Sequence, residues 1–343
     1  MKRIGILTYW GVPNYGAWAQ AYALNNTVKN LMPEDEVKHI SYLTPVHHDL
    51  YYKNDERLEN SFSYSYCQIS HTERYDFKEL EQSKFDVIIT GSDAIWEFNV
   101  PEMGNDRHLI GNNLNTDKLI SYAASFGCMG FGDKFEEWMQ EGLQKYFAIS
   151  VRDKNSADMV EKHIGKRPEI VLDPVFLWDF KNDKNIMKPL YQSYIAVYGI
   201  QWDDEFIIEA KKFARDKKCK LISIGFINDW CDMSLKIIEL RGNEWIGMIE
   251  NAEYVFTSTF HGLMMSIIFE KQFKFDRVPY VENRSESLLQ NLQGGTGIYI
   301  DDKKDFKTIF ERKLDYTVIS KNVNKLKNDS LEYLKETLND EVK

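Results

Sequence analysis

Cysteine is scarce in this chain. There are four among 343 residues, Cys67, Cys128, Cys219 and Cys231, and they are scattered. None forms a CxxC pair and no zinc-type spacing with histidine occurs, so the thiols read as reduced groups rather than a metal or redox motif. Positive charge is also in deficit. Lys and Arg number 43 against 53 Asp and Glu, a net charge of −10. A diffuse nucleic-acid or anionic-membrane surface should be basic, so neither is expected as the main partner, although a local pocket for a small anion is compatible with this balance. Long apolar runs are missing as well. The run Leu263 to Phe269 is core-sized, far from the ~18 residues of a membrane span. Met1-Lys2-Arg3 and the short run Ile4 to Trp10 lack the length and cleavage site of a signal peptide. No solenoid-length repeat or low-complexity tract is present. These absences point to a cytoplasmic protein, at most peripherally associated with the inner face of the membrane.

What the chain does contain is core material: 43% of its residues are hydrophobic, and aromatics make up 14% of the whole chain. Its length suits two domains, each able to bury a sizeable core. Strand-like and helix-like patterns alternate. Ile4 to Tyr9, Phe85 to Thr90, Leu119 to Ala124 and Phe147 to Val151 read as buried strands in the first half. Tyr194 to Tyr198, Lys220 to Gly225, Tyr254 to Thr257 and Phe273 to Phe275 do so in the second. Between them lie helical segments at Ala17 to Lys29, Phe135 to Tyr146, Ala157 to His163, Glu205 to Arg215, Glu244 to Asn251 and Gly262 to Phe269. Asp133 with Glu136 offers a capping box to the second of these. The segment His47 to Tyr75, rich in tyrosine and charge, reads as a flap or a short helical insertion. The alternation predicts an α/β protein with two Rossmann-like halves, mostly parallel sheets and a cleft between them. The boundaries fall at 1–180, 189–310 and a helical tail, 311–343.

In open parallel sheets ligands bind beyond the C-terminal ends of the strands, and four such places stand out. Trp10-Gly11-Val12-Pro13-Asn14-Tyr15-Gly16 is neither a Walker loop nor GxGxxG. It reads as a sugar-binding loop, with Asn14 for hydroxyls and Tyr15 or Trp10 for stacking, or as a tight connection with packing aromatics. In Thr90-Gly91-Ser92-Asp93-Ala94-Ile95-Trp96, Ser92 or Asp93 can cap a following helix, or Asp93 can act as a base on a sugar hydroxyl. Arg152, directly after a strand, is placed either to fork a phosphate or carboxylate or to form a surface pair with Asp153. Thr257-Ser258-Thr259-Phe260-His261-Gly262 passes from strand through a hydroxyl-rich turn into a helix, which reads as an anion site with His261 at its mouth, or as a turn in which Ser258 or Thr259 merely caps the helix and His261 packs. His47-His48 has no further ligand at metal-binding spacing. His39, His71, His108 and His163 read as surface or structural.

Together these segments resemble the polysaccharide pyruvyl transferase family. The resemblance rests on Asn14-Tyr15-Gly16 and on Asp86 to Trp96, the pattern Asp-x-Ile-Ile-x-Gly-Ser-Asp-x-x-Trp. It continues through Tyr122-Ala-Ala-Ser-Phe-Gly127, Ser150-x-Arg152-Asp153-x-x-Ser156, Asp173-Pro174, Ser258 to Gly262 and Asn283-Arg284. It spans residues 4 to about 290 in order. It implies a GT-B-like architecture, phosphoenolpyruvate as donor, a saccharide acceptor that is often lipid-linked, a pyruvate ketal as product, and neither metal nor redox cofactor. On that basis donor binding is expected from Arg152, Ser258, Thr259, His261, Gly262 and Arg284, and acceptor binding from Asn14, Tyr15, Trp10, Ser92 and Trp96. His261 is expected to contact phosphate and move a proton, and Asp93 to deprotonate the hydroxyl. Some relatives carry arginine where this chain has Thr259, so Arg284, Arg277 or Lys271 would supply that charge. The rival readings are a nucleotide-sugar glycosyltransferase of the same architecture and a non-catalytic saccharide-binding protein.

Overall fold

The computed structural model describes residues 1–53, 56–100, 104–276, 279–293, 306–311 and 314–340, with the side chains of 56, 60, 61, 279–284, 293 and 307–309 outside the described set. The chain divides into two compact units, Met1–Trp178 with Asn324–Lys343, and Asp179–Val323.

The first unit runs β1 (Arg3–Leu7), α1 (Tyr15–Leu31), β2 (Glu36–His39), α2 (Pro45–Tyr52), α3 (Glu56–Tyr66), α4 (Phe77–Gln82), β3 (Phe85–Thr90), β4 (Thr116–Ser121), α5 (Glu137–Gln144), β5 (Ser150–Val151), α6 (Lys154–Ile164) and β6 (Glu169–Ile170). Its main sheet has the order β2-β1-β3-β4, all parallel. Parallel bridges Ile120↔Ala148 and Ala124↔Val151 continue it toward the β5–β6 pair. Strands covered on both faces need apolar residues on both, which is why Ile4 to Leu7 in β1 and Val87 to Ile89 in β3 carry no polar side chain. Ile4, Ile6, Val87 and Ile89 pack into one core, and Leu7 and Ile88 into the core on the other face. That split is the period of two that a strand imposes.

The second unit runs β7 (Tyr194–Tyr198), α7 (Asp204–Lys217), β8 (Lys220–Gly225), β9 (Met233–Lys236), α8 (Gly242–Glu250), β10 (Tyr254–Thr257), α9 (Phe260–Ile268), β11 (Phe273–Phe275), α10 (Pro279–Gln293) and α11 (Phe306–Glu311). Its sheet is also parallel, in the order β11-β10-β7-β8-β9. Phe206, Phe213, Phe256, Phe306 and Phe310 fill one side of it.

The final helix, α12 (Tyr316–Asn339), corrects the expectation of a separate tail. Its early residues belong to the second unit: Asn322 Nδ2 donates to Leu292 O at 3.0 Å, and the Tyr316 hydroxyl donates to Lys271 O. Its late residues belong to the first: Leu334 and Leu338 lie fully buried in the core with Ile4 and Val87, and Leu172 N donates to Ser330 Oγ at 3.0 Å. Lys118 closes the helix end by donating to the carbonyls of Thr337 and Asp340. A cation there meets the negative end of the helix dipole.

Other expectations also shift. β2 and β9 had no apolar run to announce them, because both are edge strands with polar or exposed positions. The expected capping box at Asp133 does not form: α5 begins after Glu136 without a side-chain cap, and Asp133 Oδ2 accepts from Gly130 N at 2.8 Å instead. The segment 47–75 contains α2 and α3, the helical alternative.

His39 is structural. It is fully buried, with Nε2 2.9 Å from Ala21 O and Nδ1 3.2 Å from Ile6 O. Burial lowers its pKa to about 4, against the raising effect of the two carbonyls. The folded chain therefore refuses a proton that the unfolded chain accepts below pH ~6.5. Stability from this group is complete above that pH and is lost as pH falls toward 4, by up to about 3 kcal/mol. Urea unfolding across pH 7 to 4 should show a shallower acid loss for His39→Gln than for the parent.

Candidate functional site

In the first unit the loops after β1 and β3 are knitted to α1. Thr8 Oγ1 donates to Ser92 O at 2.8 Å, Gln20 Nε2 to Thr8 Oγ1 at 3.3 Å, and Ser92 Oγ to Gln20 Oε1 at 3.0 Å. Ser92 is fully buried by this, and Trp96 is too, its Nε1 donating to Leu109 O at 2.9 Å. Tyr15 is buried with its ring 5.4 Å from Phe62. The acceptor roles expected of Ser92, Trp96 and Tyr15 are therefore corrected to packing roles, since burial leaves them no surface for a sugar. Asn14 is exposed, but its side-chain oxygen accepts from Gly16 N at 2.8 Å and Ala17 N at 3.2 Å as the N-cap of α1.

Trp10 fares differently. Its ring lies 4.7 Å from Tyr66 and 5.2 Å from each of His39 and His71. It lines a hollow of about 310 Å³ together with Gly11, Tyr52, Glu59, Tyr66, His71 and Arg74. The Tyr52 hydroxyl donates to Gly11 O, and Arg74 pairs with Glu59 at 3.4 Å. An aromatic wall facing charged groups suits a polar ring with hydroxyls on its edge and C–H groups on its face. The sequence reading missed Tyr52, Tyr66 and His71; only the clustering of tyrosines in 47–75 hinted at them.

The loop after β3 does not cap a helix. The next helical turn among the described residues is the 3₁₀ turn Arg107–Ile110, capped by Asp106. Gly91 has φ +109°, and a Cβ there would sit 2.4 Å from Tyr122 O, so only glycine lets β3 run this close to β4. Two residues on, Asp93 takes φ +78°. Its Oδ1 accepts from Ala94 N at 2.9 Å and from Arg152 Nη2 at 2.9 Å. Arg152 Nη1 donates to Asp173 Oδ2 at 2.8 Å. The side chains of Arg152 and Asp173 are 1% and 2% exposed, and that of Asp93 is 13% exposed. Burial alone would lower the Arg152 pKa, but the carboxylates of Asp93 and Asp173 outweigh it and push it up. The surface-pair reading of Arg152 is corrected: its guanidinium is buried and paired with Asp93 and Asp173 rather than with Asp153. Asp153 caps α6 through Ser156 N at 2.8 Å and accepts from Ser125 Oγ at 2.6 Å.

In the second unit the turn between β10 and α9 holds itself. Thr257 Oγ1 donates to Tyr198 O at 2.7 Å and accepts from Thr259 N at 3.1 Å. Thr259 is the N-cap of α9, accepting from Gly262 N at 3.0 Å, and Ser258 Oγ bridges Ile200 O and N at 2.9 and 3.1 Å. The hydroxyls of Ser258 and Thr259 thus shape the turn, as the capping alternative for Thr259 expected. His261 follows as the second residue of α9, largely buried, with its ring 5.8 Å from that of Phe260. The first N–H groups of a helix have no acceptor within it. Lys271 is not at this mouth: it precedes β11, at the opposite edge of the parallel sheet, where its Nζ donates to Ala252 O at 3.0 Å. Arg277 and the side chain of Arg284 lie outside the described residues.

The family model for polysaccharide pyruvyl transferases matches residues 14–273. The chain belongs to the polysaccharide pyruvyl transferase family. The match takes in α1, Asp93, Arg152, Asp173 and the α9 mouth, so this pyruvyl transferase family member carries the segments noted above over most of its length. Comparison with curated protein sequences yields no match. Among solved structures it is similar to a UDP-N-acetylglucosamine 2-epimerase at 11% identity and TM-score 0.58, covering 100% of this chain and 99% of that one. It is similar to MnaA from S. aureus, solved with UDP, at 12% identity and TM-score 0.55, covering 99% and 97%. It is likewise similar to UDP-GlcNAc 2-epimerase from Neisseria meningitidis bound to UDP-GlcNAc, at 9% identity and TM-score 0.54, covering 98% and 99%. At such identities the likeness concerns fold, which is α/β of the GT-B type. Among the described residues no helix is long and apolar enough to cross a membrane, and no group of three His, Cys, Asp or Glu side chains suits a metal ion.

The α9 turn of this transferase generates a stability prediction. A Cβ at Gly262 would lie 2.1 Å from Thr257 Oγ1, 2.7 Å from Thr259 Oγ1 and 2.9 Å from Tyr198 Cδ1. Gly262→Ala should cost ~1–3 kcal/mol by overpacking, and Thr259→Ala about 1 kcal/mol by loss of the cap. Denaturant titration of the two variants checks the order.

Proposed function

We propose that this protein transfers the pyruvyl group of phosphoenolpyruvate to hydroxyls of a saccharide, forming a pyruvate ketal during synthesis of a surface polysaccharide. The observation that carries the reading is the family match across residues 14–273, a range that includes both the Phe260-His261-Gly262 start of α9 and the Asp93 loop.

Phosphoenolpyruvate presents a phosphate ester and a carboxylate on the same carbon, C2. The start of α9 offers backbone N–H groups and the positive end of a helix dipole to one of these anions. The His261 imidazole is the proposed proton donor. Gly262, without a side chain, keeps the turn tight under the Thr257 and Thr259 hydroxyls. Arg284, in α10, is the donor-side cation by its place in the sequence.

The chemistry runs in balanced steps. A proton from His261 adds to the methylene carbon, and positive character develops at C2. A sugar hydroxyl attacks C2 and gives its proton to Asp93. The C2–O bond to phosphate breaks and phosphate departs. A second hydroxyl of the same sugar then adds to C2, closing the ketal, and its proton returns to His261, while Asp93 passes its proton to solvent. The acceptor is assigned to the Trp10, Tyr52 and Tyr66 hollow, a lipid-carried saccharide at the inner face of the membrane being the first to try.

Phosphoenolpyruvate should raise the melting temperature, whereas UDP-sugars, the ligands of the fold neighbours, should not. With a suitable acceptor, phosphate release should fall by roughly 10²–10⁴ in His261→Ala. Stabilisation by UDP-sugars alone would transfer the reading to a nucleotide-sugar glycosyltransferase. Undiminished phosphate release from His261→Ala would remove the histidine from the mechanism.

A further inference from the structure

Three charged side chains from distant parts of the chain form one buried ion-pair chain in the first unit. Arg152 reaches Asp93 across 59 residues and Asp173 across 21, with one guanidinium nitrogen for each carboxylate. The members are not equivalent. Asp173 and Arg152 are sealed, whereas the Asp93 side chain keeps 13% of its surface. Asp93 is also the member whose backbone is held in the left-handed region, and its Oδ1 takes two donors, Arg152 Nη2 and Ala94 N. Asp173 instead uses its other oxygen, Oδ1, to accept from Val175 N at 3.2 Å, which anchors it in the 3₁₀ turn Pro174–Phe176. The anchor is therefore Asp173, the link is Arg152, and the end that meets solvent is Asp93.

The surroundings give that end a use. Burial raises the pKa of the Tyr51 and Tyr66 phenols, and the Asp93 carboxylate, within electrostatic range of both, adds to it. Tyr66 is also a wall of the Trp10 hollow, and the neighbouring Tyr9 hydroxyl donates to Ala94 O at 2.9 Å. A carboxylate gripped by one guanidinium alone would be a poor base, because a close cation depresses carboxyl pKa by about 1–3 units. A second carboxylate on the same guanidinium opposes that depression, since like charges at one site raise each other.

We propose that Arg152 and Asp173 are a positioning pair that fixes the orientation and basicity of Asp93 for the acceptor hydroxyl, and that Arg152 does not bind the donor. This rests on the pyruvyl-transfer reading above for the identity of the reaction, but not for the coupling among the three side chains.

Among the described residues, the charged and titratable groups shown acting on or with Asp93 include Arg152, Tyr51 and Tyr66, with Asp173 and Asp153 acting on Arg152. Two measurements on the full chain decide the matter. The first is the pH profile of kcat/KM with phosphoenolpyruvate and a saccharide acceptor, alongside calorimetric binding of phosphoenolpyruvate. Arg152→Gln should move the acid limb upward by about 1–3 pH units and leave donor affinity within about threefold. Asp173→Asn should move the limb downward, and Arg152→Lys should restore much of the parent profile. A donor affinity weakened tenfold or more in Arg152→Gln, with the acid limb in place, would make Arg152 a donor clamp and overturn the proposal.

The second measurement needs no turnover. Carbon-13 NMR titration of labelled aspartate, with Asp93→Asn identifying the signal, should show the Asp93 carboxyl rising in Arg152→Gln and falling in Asp173→Asn. If Arg152→Gln fails to fold, Asp173→Asn and Arg152→Lys carry the comparison. An Asp93 titration unmoved in every folded variant would also overturn the coupling. Absence of turnover by the parent across a panel of acceptors would count against pyruvyl transfer, while the NMR result would still decide the positioning pair.

Discussion

A guanidinium with 1% of its side chain exposed must be neutralised where it sits, and this requirement organises the strand ends of the first unit. Arg152 follows β5, Asp93 follows β3 and Asp173 follows β6, so the ion-pair chain can form only if those parallel strands end side by side. Removing one partner from such a buried group typically costs 3–5 kcal/mol. The glycine at position 91, pressed against Tyr122 O, lets β3 approach β4 closely enough for this, and the left-handed backbone at Asp93 turns the carboxylate back toward the arginine. Ser125, Asp153 and Ser156 brace the neighbouring loop through their own closed hydrogen-bond network.

The second unit solves a different problem with a different device. Its candidate site contains a helix start, and the first task is to hold that start in place. Thr257, Ser258 and Thr259 do so with three hydroxyls directed at nearby backbone groups and at one another. Hydroxyls that read in sequence as ligands for an anion are thus scaffold, and what they support is the backbone N–H groups and His261. Polar residues after strands have two competing uses, binding something or shaping the turn. Short range favours the second, because the turn's own backbone is always within reach.

Much of the architecture was legible in the chain because it follows from solvent. Apolar runs such as Phe85–Thr90, Tyr194–Tyr198 and Tyr254–Thr257 are buried on both faces of parallel sheets and announce themselves with the bounds observed. Edge strands β2 and β9 did not, since half their environment is polar. The resemblance carried by Asn14-Tyr15-Gly16, Asp86 to Trp96 and Ser258 to Gly262 named the family, and the match over residues 14–273 agrees. The roles of individual residues within those motifs were far less legible. Trp96 and Ser92 sit in a motif yet are core, while Tyr52, Tyr66 and His71 lie outside every motif and line the hollow.

By itself, then, the sequence determined the α/β class, the alternation of strand and helix, and the family, because these depend on local periodicity and on short ordered motifs. The tertiary structure alone decided which carboxylates hold Arg152, that α12 ends in the core of the first unit, and which aromatic rings surround the Trp10 hollow. Those outcomes join residues dozens to hundreds of positions apart. A buried charge or ring chooses its partner by distance in space, and no spacing along the chain encodes that distance.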